Sequence, residues 1–160
     1  MIYIHGEIYT ELAREVLPDI MRDLADQGDL VVCSSGGDLD EAFALHDAMR
    51  QRTYQMPTLA LGRCMSAAVL LVAAGAQGER KAGRNTTFML HNVELEGAGD
   101  PKTLIRLAEV SERMMAKYAR LLAQYSKRNR DHWQAMFDSG SDVFFTAGDA
   151  FDWGLIDKIV

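Results

Sequence analysis

A chain of 160 residues, 48% apolar and 25% charged, has the make-up of one soluble globular domain. At this length it can bury roughly 68–70% of the surface its unfolded form exposes, so it needs no disulfide or metal staple. Its net charge of −6 argues against a nucleic-acid surface, which calls for clustered basic residues.

The segment Met1–Glu7 has neither a charged n-region nor a long apolar h-region, and the most apolar stretch, Ala67–Ala76, is about half of what spans a bilayer. The expectation is a cytoplasmic protein without a leader or a membrane contact. Cys33 and Cys64 sit in or beside apolar runs with no second Cys or His at ligand spacing. They read as small buried hydrophobes in a reducing compartment, and no metal or cofactor is expected.

In chain order, Ile2–Ile4 predicts a first strand closed by Gly6. Thr10 is placed to cap a helix reaching about Ala25, with Leu12, Val16, Ile20 and Leu24 on one face and a possible kink at Pro18. Gly28 ends it. The unbroken apolar run Leu30–Cys33 predicts a strand buried on both faces. Ser34-Ser35-Gly36-Gly37 then reads as a tight turn into a helix from about Asp38 to Arg52, whose apolar face carries Leu39, Ala42, Leu45 and Met49. After Pro57 a strand is expected over Thr58–Leu61, followed by a small-residue helix from Ser66 to Ala74 that stops at Gly75. Thr87–His91 predicts another strand and Glu94–Asp100 a glycine-rich loop. A long helical pattern runs from Pro101 to Lys127. The chain closes with a short helix after Phe144, a stop at Gly154 and a strand over Leu155–Val160. This alternation predicts an α/β fold with a mostly parallel sheet in a single domain, residues 1–160. The 101–127 helix exceeds the sheet it would cover, so it should project and meet a partner chain.

Two strand ends carry glycines suited to a reacting carbonyl. At Gly36-Gly37 the missing Cβ atoms let backbone approach a substrate and aim an N–H at it, although an ordinary turn would look the same. At Gly62-Arg63-Cys64-Met65-Ser66-Ala67-Ala68, a serine opening a helix has its hydroxyl at the positive end of the dipole, and the next amide can donate to an oxyanion. The alternative is that Ser66 is only a helix cap. Ala68 stands where the α/β-hydrolase elbow requires glycine. A serine nucleophile needs a base. Of the four histidines, His5 ends the first strand, His46 lies beside a helix core face, and His132 neighbours Trp133. His91 leaves the sheet at the end of Phe88-Met89-Leu90, where a lone histidine is more often structural than catalytic.

All these motifs occur in one order, joined by Ala73-Ala74-Gly75-Ala76-x-Gly78-x-Arg80, Asp142-x-Phe144-Phe145-Thr146-Ala147 and Gly154-Leu155-Ile156-Asp157. In that order, and over essentially the whole chain, the sequence resembles the proteolytic subunit (ClpP) family of the Clp protease. The resemblance implies a crotonase-like α/β fold with a projecting handle at about residues 92–127. It implies Ser66 as nucleophile, His91 as base and Asp142 as the orienting carboxylate, with Asp131 and Asp138 as rivals for that third role. The amides of Gly37 and Ala67 would form the oxyanion hole, and Gly36, Asn92 and Val93 would contact a peptide or unfolded-protein substrate added as a strand near Asn92–Gly97. It further implies a homo-oligomeric ring, stacked in pairs by the handle, that encloses a chamber.

The sequence departs from the family at four points. It begins at the first strand of the match, without the N-terminal helix and axial loops, which leaves a Clp-type ATPase partner an open expectation. Ser35 replaces a proline before the paired glycines, Asn92-Val93 replaces Gln-Pro, and Glu94 and Glu96 alter the glycine-rich stretch. Beside an active serine endopeptidase stand three alternatives: an inactive structural relative, a specialised maturation protease such as a phage enzyme, and a crotonase-type CoA enzyme.

Overall fold

A computed structural model describes residues 1–22, 28–93 and 100–160. Five parallel strands form the sheet path β1 (Ile2–Ile8), β2 (Leu30–Gly37), β3 (Thr58–Met65), β4 (Arg80–Ala82) and β7 (Lys158–Ile159). Beyond that path, β5 (Thr87–Leu90) pairs parallel with the far end of β3, and β6 (Val143–Thr146) pairs antiparallel with β5. The helices are α1 (Leu12–Ile20), α2 (Leu39–Gln51), α3 (Ala68–Ala73), α4 (Pro101–Tyr125), α5 (Arg130–Asp138) and α6 (Ala147–Asp152). Among the described residues, no helix is long and apolar enough to cross a membrane.

The core lies between the sheet and its helices. Residues 67–74 are all at most 1% exposed, and their small side chains let α3 sit close under the strands. Thr58 anchors its far end by donating its hydroxyl to the Val72 carbonyl at 2.8 Å. The stacked rings of Phe88 and Phe145, 5.3 Å apart, face each other across β5 and β6, a cross-strand pair worth roughly 0.2–1 kcal/mol. At the opposite end of the sheet, Asp157 accepts from Nε of Arg80 at 2.8 Å and from the Gly78 amide at 2.8 Å. Burial pushes the Asp157 carboxyl up, but the hydrogen bonds and charge of Arg80 outweigh it and hold the group below the usual carboxylate range.

Several expectations shift in register. Ser34–Gly37 is not a turn but the continuation of β2, with a bulge between Val32 and Ser34 against β3. Asp38 alone makes the turn, its carboxylate accepting from the amides of Asp40 and Glu41. Glu11 in the left-handed region, not Thr10, precedes α1, and the Thr10 hydroxyl instead donates to Asp38 at 3.2 Å. Pro18 falls near the C-terminal end of α1, and the helix stops at Ile20; the expected continuation through Leu24 to Ala25 lies partly outside the described residues, as does most of the Glu94–Asp100 loop. Both β1 and β3 run four residues beyond their expected ends, and the closing strand shrinks to Lys158–Ile159. The long helix is a single element, and its residues 101–110 lie almost wholly in solvent.

Candidate active site

The site forms where β3 ends. Ser66 follows Met65 with φ at +51°, a conformation uncommon outside glycine, and α3 begins two residues later. Tertiary contacts hold this strained residue. Its amide donates to the Met89 carbonyl at 2.7 Å, and its own carbonyl accepts from the Tyr118 hydroxyl at 2.7 Å and the Val69 amide at 3.1 Å. The elbow thus turns the side chain out of the sheet towards the end of β5.

There His91 meets it. β3 and β5 are in register at Met65 and Met89, so His91, just past Leu90, reaches the elbow, and its Nε2 lies 2.9 Å from Ser66 Oγ. The antiparallel ladder of β5 and β6 pairs Leu90 with Val143, and one further step sets His91 against Asp142. The separation from Nδ1 to Oδ1 is 3.7 Å, and the aspartate side chain is 53% exposed. That is an electrostatic contact but too long for a hydrogen bond. The rivals sit elsewhere on α5: Asp131 pairs with Arg130, and Asp138 accepts from Gln134. Among the described residues, Asp142 is the carboxylate within ion-pair reach of His91.

The glycines press against the elbow from β2. A Cβ on Gly36 would fall 2.6 Å from both Met65 O and Ser66 Cβ and 3.1 Å from the Ala67 amide nitrogen, and one on Gly37 would fall 2.2 Å from Ile8 O. Glycine is therefore the residue that allows β2 to approach Ser66 and Ala67 this closely. A cleft of about 420 Å³ opens between these elements, lined by Gly36, Gly37, Ser66, His91 and Val93 together with Glu7, Ser35, Leu39, Met115 and Tyr118. Asn92 is exposed beside the cleft rather than lining it, and its Oδ1 accepts the Val93 amide at 2.8 Å. Of the substrate segment expected at Asn92–Gly97, residues 94–97 lie outside the described residues.

The other histidines are held apart from the cleft. His46 is 5% exposed, with Nε2 2.7 Å from the Tyr125 hydroxyl and Nδ1 2.9 Å from Asp47. His5 lies exposed in mid-strand, opposite Cys33, because β1 continues past it. His132 stands edge-on to Trp133 and Trp153. Cys64 is fully buried and its thiol pKa is pushed far up by that burial.

Sequence reasoning missed Tyr118 as part of the site. Its helical spacing marks it only as a core position, and its hydroxyl acts through a contact 52 residues away in the chain. Glu7 and Met115, also at the cleft, were equally silent, because both come from elements whose packing against the elbow no local pattern encodes.

The fold and cleft define a class: α/β domains that present a serine hydroxyl on a strained strand-to-helix turn, with an imidazole in hydrogen-bond reach and paired glycines alongside. The chain belongs to the Clp protease family, whose model matches residues 1–160. It is 30% identical over 131 residues to the ATP-dependent Clp protease proteolytic subunit 1 of Corynebacterium diphtheriae, a match covering 81% of this chain and 62% of that relative. Membership carries with it the crotonase-like fold, in agreement with the mostly parallel sheet.

Proposed function

We propose that the protein is a serine endopeptidase in which Ser66 is the nucleophile, His91 the general base and Asp142 the carboxylate that orients the histidine. The observation that carries this reading is the 2.9 Å approach of His91 Nε2 to Ser66 Oγ on a strained elbow. For Nε2 to accept the serine proton, the neutral ring carries its hydrogen on Nδ1, facing Asp142. Attack of Oγ on a peptide carbonyl carbon forms the C–O bond as the proton passes to Nε2. The oxyanion would be met by the amides of Gly37 and Ala67. Collapse breaks the C–N bond, with His91 returning the proton to the leaving amine. Water, activated by the same imidazole, then releases the acyl group and regenerates Ser66.

The assembly belongs to the same proposal. Leu104, Ile105 and Val110 are 43%, 59% and 46% exposed along the projecting half of α4, an apolar set that favours burial against further copies of the chain in a ring-shaped chamber. Peptide-bond substrates accord with the words "protease" and "proteolytic" in the names of the family and of the relative, and unfolded proteins are proposed as their source. Coupling to an ATPase is carried here only by the words "ATP-dependent" in that relative's name.

One observation favours a second reading, a structural relative that does not hydrolyse peptides. The 3.7 Å gap to a half-exposed Asp142 leaves the imidazole weakly supported. A fluorescent fluorophosphonate separates the two. Labelling mapped to Ser66, and lost in His91→Ala, supports the peptidase. An unlabelled protein that is folded and elutes as an oligomer supports the structural role.

A further inference from the structure

The cleft beside Ser66 is apolar over Leu39, Val93, Met115 and the ring of Tyr118, whose hydroxyl is already committed to the Ser66 carbonyl. Among its described lining residues, one carboxylate stands out, that of Glu7, a solvent-exposed residue. Glu7 is the Cα partner of Gly36 in the parallel β1–β2 ladder, and Gly36 abuts Ser66, so Glu7 stands one strand from the elbow. No described residue gives its carboxylate a hydrogen bond or an ion pair, and no lysine or arginine lines the cleft.

Such a surface suits one kind of side chain. The aliphatic stem of lysine or arginine can lie along Leu39 and Met115 while the cationic head reaches an unpaired carboxylate. A neutral apolar side chain of the same length would fill the space but make no contact of opposite charge with Glu7, which is exposed at the cleft. An acidic side chain would meet like charge. We propose that Glu7 makes this cleft selective for a basic residue on the acyl side of the cleaved bond. The inference rests on Ser66 being the nucleophile.

Internally quenched peptides identical except for Arg, norleucine or Glu at that position test it by their kcat/KM values. In the wild-type protein Arg should lead norleucine roughly two- to fivefold, the size an ion pair at an exposed carboxylate supplies, with Glu slowest. The lead should shrink as salt rises from about 50 to about 500 mM. Glu7→Gln should bring Arg and norleucine near parity, and Glu7→Lys should invert the order of Arg and Glu. Equal rates for Arg and norleucine in the wild-type protein, or a lead that survives Glu7→Gln, overturn the proposal. Fluorophosphonate labelling of Ser66 runs alongside. Labelling without the ranking removes this inference alone, whereas absence of both labelling and cleavage removes the peptidase reading and this inference with it.

Discussion

His91 and Asp142 face each other across the antiparallel pair of β5 and β6, with Nδ1 3.7 Å from Oδ1, while the opposite ring nitrogen is 2.9 Å from Ser66. The two ends of the imidazole are thus unequally held. The serine contact is a hydrogen bond, and the aspartate contact is an open electrostatic pair at a half-exposed carboxylate. If the protein works as a peptidase from this geometry, Asp142→Ala should lower kcat/KM by about a hundredfold and Ser66→Ala should abolish turnover, since the base keeps its place without a close partner. Peptide hydrolysis by the two variants at equal protein concentration measures this. Equal losses would mean that the pair tightens when substrate binds.

The contact of Gly36 with the elbow yields a second prediction. At φ +87°, a side chain there incurs backbone strain of about 1–3 kcal/mol. Its Cβ would also meet Met65 O and Ser66 Cβ at 2.6 Å, and backbone cannot yield as a flexible side chain would. Gly36→Ala should therefore lower the melting temperature by at least about 3 °C, given the size of the domain, and slow fluorophosphonate labelling far more than the stability loss explains. Labelling at the wild-type rate would show that β2 can retreat without disturbing Ser66.

A third prediction concerns acid stability. Nε2 of His132 is buried with no hydrogen-bond partner among the described residues, and the ring lies 5.0 and 5.7 Å from those of Trp133 and Trp153. Burial, and then the charge of Arg128, hold its pKa below the ordinary value near 6.5. The folded state therefore resists a proton that the unfolded chain accepts. The stability associated with this group is complete above about pH 6.5 and declines as the pH falls through that value towards the folded pKa. Urea midpoints should drop between about pH 7.5 and about pH 5.5, and His132→Phe should flatten that part of the profile. The same slope in both proteins would assign the acid sensitivity to other groups.

Much of the architecture was legible because it rests on local physics. The helical spacing in 39–51 and at Met115, Tyr118 and Leu122, and the apolar positions Leu30–Val32, Phe88 and Leu90, bury the expected faces in the fold. Leu104, expected on the same helical face, is exposed. What escaped was shorter or depended on partners. β4 is three residues, Arg80-Lys81-Ala82, with no pattern of its own, and it exists between β3 and β7 with Asp157 binding its first residue. α5 was overlooked although Asn129 caps it and Trp133 and Phe137, four apart, are both fully buried. Those three positions would have announced it. Ser34–Gly37 reads as a turn by composition, yet ladder pairing with β1 extends β2 through both glycines.

For the site, the sequence by itself determined which groups are available: a serine after a glycine-bearing strand, a histidine at the end of the next pairing strand, an aspartate before a Phe-Phe-Thr run, and paired glycines. Residue type and order suffice for that, since they are properties of the chain. Only the tertiary structure decided the distances. It tightened serine to histidine and left aspartate apart. It drew Tyr118 onto the Ser66 carbonyl and set Glu7 in the cleft with no partner among the described residues. The physical reason is that side-chain hydrogen bonds and Coulomb contacts change over tenths of an ångström. Separations that fine are set by strand register and by how helices seat on the sheet, and these are sums over the whole core that no local stretch of residues contains.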